Sequence, residues 1–134
     1  MRSNTVRNLK NNMLVVLSGV SERATVALPR LVGMMQHAVL SLTGLVIEPP
    51  PNDSVIHVRT PGTMVDNMVR LGDTGACTFV CVRDNNDGHY KAADPGHSVI
   101  VRAPIRDLVL EFSPSDDWTA QTRWTAFLVV HENI

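Results

Sequence analysis

Lysine is nearly missing from this chain of 134 residues: Lys10 and Lys91 stand against ten arginines. Charge of either sign is sparse, at 19% of residues against about 25% in ordinary domains. Arginine is enriched and lysine depleted where protein surfaces meet, so this composition suits burial between subunits. Cysteine is limited to Cys77 and Cys81. Their setting, ACTFVCV, reads as a strand, which places both on one face about 13 Å apart at ~3.3 Å per residue. That separation excludes a disulfide, which needs Cα atoms within about 7 Å, and joint ligation of one metal. Both read as buried small apolar side chains compatible with a reducing cytoplasm. No apolar run reaches transmembrane length, so no membrane partner is expected. No glycine motif for phosphate or a dinucleotide occurs, and no cofactor is expected. The opening residues, an early arginine followed by MLVVL, hold too short an apolar core for a signal peptide, and Asn4, Asn8, Asn11 and Asn12 interrupt its approach.

The net charge of −1 hides an asymmetry. Residues 1–30 carry five basic residues against Glu22, a net of +4, whereas 31–134 carry seven basic and twelve acidic residues, a net of −5. Opposite signs on arm and body favour docking of the first segment on an acidic surface, with Arg2, Arg7 and Lys10 as its contacts. Without a Lys/Arg cluster or aromatic platforms, the same charges argue against a nucleic-acid partner. The reading that keeps nucleic acid is a small coat protein whose basic N-terminus faces it.

The length suits a single domain over 1–134, with 1–30 as a basic arm and 31–134 as a β-rich body. Two elements are ambiguous. Over 4–17, Val6, Leu9, Met13, Leu14, Val16 and Leu17 fall on one side of a helix, while MLVVL alone reads as a strand. Over 29–42, Pro29 suits a helix start and Thr43-Gly44 its end. The rival there is a strand through AVLSLTGLVIE, residues 38–48. After a stiff Pro49-Pro50-Pro51 connector the pattern turns to β. Strands are expected at 22–28, 54–60, 76–83, 89–92, 97–102, 105–112 and 121–131, with 63–71 as a helical turn or irregular loop. Met34, Met35, Met64 and Met68 read as packing filler. The fold class is mainly β, an antiparallel sandwich or barrel with one or two short helices in the N-terminal third. In the last strand Ala126, Leu128 and Val130 oppose Phe127, Val129 and His131, so both faces are apolar. Such a strand is central, or it meets another subunit.

Asp73-Thr74-Gly75-Ala76 is the sharpest motif. It resembles the D-T-G-A of retroviral-type aspartic proteases, in which two aspartates, one per subunit, share a proton and activate water. Asp73, Thr74 and Gly75 would then be catalytic. The pattern departs at Gly72, where an apolar residue belongs, at Ile105, where a glycine belongs before Arg106, and in its mid-chain position. A turn feeding the 76–83 strand is the preferred reading. The five histidines are scattered, and none shows zinc or EF-hand spacing, so no metal is expected. Trp118, Trp124, Phe127 and Val129 are candidate interface anchors.

Gly96 to Phe112, GHSVIVRAPIRDLVLEF, and the terminal TRWTAFLVVH supply a wider likeness. A turn glycine, an alternating strand, a proline break, an L-x-L strand, a polar loop and a last apolar strand follow one another. The pattern resembles small β-sandwich accessory proteins of tailed-bacteriophage virions, the head-decoration and head-fibre proteins. It covers the C-terminal third. The resemblance implies a non-enzymatic homo-oligomer, made in the host cytoplasm, that docks on a major capsid or tail protein. It assigns no individual functional residue.

Overall fold

The computed structural model of the protein describes residues 8–9, 12–72, 75–102 and 106–132. Its strands, in chain order, are β1 (Asn8–Leu9), β2 (Asn12–Val20), β3 (Arg23–Ala27), β4 (Ala38–Glu48), β5 (Val55–Arg59), β6 (Val65–Asp66), β7 (Val69–Arg70), β8 (Ala76–Cys77), β9 (Phe79–Arg83), β10 (Tyr90–Ala92), β11 (Val99–Val101), β12 (Asp107–Ser113) and β13 (Arg123–Glu132), with one short helix, α1 (Arg30–Gly33). Eight strands follow one another in the antiparallel order β2-β13-β4-β10-β9-β5-β12-β3 and form a nearly closed, barrel-like sheet. The turn Ser21-Glu22 joins β2 to β3 and draws the two ends of this series together. Its backbone is tied to both neighbours: Ser21 N–H donates to the Thr122 carbonyl, and Phe112 N–H donates to the Glu22 carbonyl. β1 extends the edge of β2, β11 and β6 branch from β4, and β7 pairs with β8 in a separate hairpin.

Period-2 alternation explains which face each strand buries. Leu108, Leu110 and Phe112 of β12 are buried, as are Val99 and Val101 of β11 and Trp124, Ala126, Leu128 and Val130 of β13. They meet Val15 and Leu17 of β2, Leu45 and Ile47 of β4, and Ile56 and Val58 of β5 in one core. Phe112 is its aromatic hub, with Trp118 stacked at 5.2 Å and Trp124 tilted at 5.0 Å between centroids. Each such pair contributes about 0.5–1.5 kcal/mol beyond area burial. Cys77 and Cys81 are buried free thiols.

Several expectations are corrected. Of the 4–17 segment, open between helix and strand, the described residues 8–9 and 12–17 lie in β1 and β2, and the nine-residue ladder of β2 on β13 decides for strand. The helix expected over 29–42 shrinks to α1, and the rest joins β4, the 38–48 strand of the rival reading. Long pairing with β13 and the β-branched content of this segment decide that contest. Residues 63–71 contain β6 and β7 rather than a helical turn. The 76–83 strand breaks at Thr78, whose N–H donates to the Val58 carbonyl. Met34 and Met64 are 68% and 75% exposed, so they fill no core; Met35 does pack against it.

Candidate interaction surface

The outer face of β13 is flanked along its length by β2 and β4. Register aligns the residues of the three strands in rows. Val16, Phe127 and Gly44 form one row, and Leu14, Val129 and Ser41 the next. Ser18, Thr125 and Val46 lie on one side of these, and Asn12, His131 and Val39 on the other. Leu14, Val16, Val46, Phe127 and Val129 are all half-buried on this face. None of the four rows contains Lys, Arg, Asp or Glu; the next row brings Arg123 beside Glu48.

A local irregularity shapes the centre of the face. Pairing between β13 and β4 shifts between Phe127 and Leu128, and the Thr43 hydroxyl donates to the Phe127 carbonyl at 3.1 Å. The bulge places Gly44 beside the Phe127 ring: a Cβ there would lie 3.8 Å from Cδ2. The ring therefore has an open neighbour to lean on, an arrangement that shelters part of an outward aromatic on a sheet.

The expected site residues fall in different places. Phe127 and Val129 lie at the centre of this face. Trp118 and Trp124 lie in the interior, 8% and 1% exposed, against Phe112. Arg2, Arg7 and Lys10 lie outside the described residues, although β1 pairs with the Asn12–Met13 end of β2 and so borders the same face. Asp73 and Thr74 also lie outside them. Gly72 and Gly75, with φ of +65° and +109°, stand on either side, and Leu71 N–H donates to the Gly75 carbonyl in the loop from β7 to β8. Leu14 and Val16 are not among the expected interface residues; alternation through MLVVL is the signal that marks them.

His89, in the loop between β9 and β10, is engaged locally. Asp87 lies 3.8 Å from His89 Nδ1 and 3.1 Å from Lys91 Nζ. The His89 backbone N–H, then the Lys91 ammonium, hold the Asp87 carboxyl below its ordinary range. Among the described residues no group of three or more His, Cys, Asp or Glu side chains is placed to hold a metal ion.

No protein-family model and no curated protein matches the chain. Among solved structures it is similar to IMPa from Pseudomonas aeruginosa in complex with an O-glycopeptide, at 15% identity and a TM-score of 0.29. That alignment covers 98% of this chain but only 13% of the other, a likeness too slight to say what this chain does.

Proposed function

We propose that the chain is a structural virion protein that self-associates and docks on a capsid or tail protein through the outer face of β2, β13 and β4. The observation that carries this reading is the uncharged, apolar centre of that face. Contact cores are depleted of charge and enriched in aromatic side chains, whereas solvated sheet faces are polar. Six residue steps along β13 make the face about 20 Å long at ~3.3 Å per residue, and three strands make it roughly 10–15 Å wide at ~4.8 Å spacing. Its area, about 300 Å², is below the ~800 Å² that each partner buries in a standard interface. The face is thus the apolar centre of a larger contact, with Arg123 and Glu48 on its rim.

Light scattering tests the reading directly. The wild-type chain is expected as a symmetric oligomer. The double variant Phe127→Asp/Val129→Asp is expected at the mass of a single chain, with an unchanged far-UV spectrum. A monodisperse wild-type monomer that binds no virion protein would overturn the proposal. Acid-range peptidase activity abolished by Asp73→Asn would replace it with the aspartic-protease reading.

A further inference from the structure

The edge of β4 turned away from β13 is divided between two strands. β10 pairs with Gly44 and Leu45, and β11 pairs with Ala38, Val39 and Leu40. Neither ladder includes residues 41–43. The chain from the end of β10 to the start of β11 passes this gap, and a pocket of about 270 Å³ lies there. Leu42, Phe79, Ala92 and Met68 supply apolar lining. An engineered apolar cavity of about 150 Å³ holds benzene, so this space accommodates one ring with a short substituent. Met68 is 36% exposed and belongs to the side-chain type that adapts most readily to a ligand.

The polar lining residues Asn67, Asp94 and His97 decide what the substituent is. His97 Nε2 lies 3.1 Å from the Thr78 carbonyl oxygen. A carbonyl only accepts, so Nε2 carries a proton in this contact. Asn67 donates one Nδ2 hydrogen to the Ser98 carbonyl at 2.8 Å, which leaves the second hydrogen and the amide oxygen. Asp94 takes the Gly96 N–H on Oδ1 at 3.0 Å, which leaves Oδ2. Asp94 is thus the one carboxylate on this lining, and its Oδ2 is left over. An anion is repelled by that carboxylate, whereas a ring bearing an ammonium finds a complement in it.

We propose that this pocket binds a small aromatic amine, its ring against Leu42, Phe79 and Ala92 and its ammonium at Asp94. The proposal is independent of the β2–β13–β4 face. Its test is titration of the full chain with phenethylamine and with 3-phenylpropionate, followed by amide chemical shifts. Phenethylamine is expected to saturate with shifts at Ala92 and His97, and 3-phenylpropionate to bind at least about tenfold more weakly. Asp94→Asn is expected to weaken the amine by about tenfold and to erase that preference, because a charge-assisted bond is replaced by a neutral one. Ala92→Trp is expected to abolish binding by filling the space; should that variant not fold, the exposed Asp94→Asn decides alone. No saturation by about 10 mM amine, equal binding of the two ligands, or an Asp94→Asn variant that retains the preference would overturn the proposal.

Discussion

The Trp124 indole occupies the space that a side chain at Gly19 would need. The two residues are register partners on β13 and β2. A Cβ on Gly19 would lie 2.5 Å from Cζ2 of the indole, 2.8 Å from Cε2 and 3.1 Å from the Ala24 Cβ on β3. The ring thus lies over the glycine where β2 turns into β3. Glycine normally weakens a strand, and alanine in its place is normally neutral or better. Here the sign reverses. Gly19→Ala is expected to lower stability by about 1–3 kcal/mol, the usual cost of overpacking, with a perturbed tryptophan emission; urea denaturation measures both.

Thr60 and Thr78 form a second buried dependence. Their hydroxyl oxygens lie 2.7 Å apart, and the residues are 5% and 0% exposed. Thr78→Val keeps the volume and strands the Thr60 hydroxyl, so a loss of about 1–3 kcal/mol is expected. Thr60→Val/Thr78→Val removes both partners and is expected to cost less than the two single changes added together. A double-mutant cycle in urea measures the difference.

The legible elements are those with one buried face and no interruption. Val99 and Val101, and Leu108, Leu110 and Phe112, alternate cleanly because each strand keeps a single phase against the core. β4 does not. Its buried Leu40 and Leu42 are followed by the bulge and then by Leu45 and Ile47. The inserted residue falls at Thr43-Gly44, which also reads as a helix stop, while Val32, Met35, Val39 and Leu42 ahead of it keep a helical spacing in sequence. The two-sided β13 was apparent, but its neighbours were not. β2 and β4 join it from the far end of the chain, and only their register assembles the uncharged face. The pocket at 41–43 depends on two separate strands sharing one edge, which no local pattern records.

Tyr90 ties the proline connector to the barrel. It is fully buried, and its hydroxyl donates to the Asp53 carbonyl, which also accepts from Arg83 Nη2 at 3.1 Å. Arg83 Nη2 lies 3.1 Å from the Tyr90 oxygen as well, and the guanidinium carbon sits 5.6 Å from the ring centroid. Tyr90→Phe keeps the ring and the cation–π contact but removes the hydroxyl. A loss of about 0.5–1.5 kcal/mol is expected, with earlier proteolytic cleavage between Glu48 and Asp53, read by mass spectrometry.

Burial of Cys81 makes the fold's stability sensitive to alkaline pH. Burial pushes its thiol up to about 12, and neighbouring Cys77 adds to the shift. Burial raises Cys77 also, against the pull of Arg59. A folded-state pKa above the ordinary value of 9.0 means that the contribution to stability is complete below that pH. Above it the unfolded chain releases the proton while the folded chain retains it, so stability falls as pH rises toward about 12. By about pH 11 the loss attributable to Cys81 is about 2–3 kcal/mol, at ~1.4 kcal/mol per pH unit. Cys81→Ala lowers stability at neutral pH by opening a small cavity, yet it is expected to flatten the decline between about pH 9 and 11. Cys77 and Tyr90, which burial also raises, contribute to the slope that remains. Urea midpoints for both chains at stepped pH, under reducing conditions, measure this, and equal slopes would remove Cys81 as the cause.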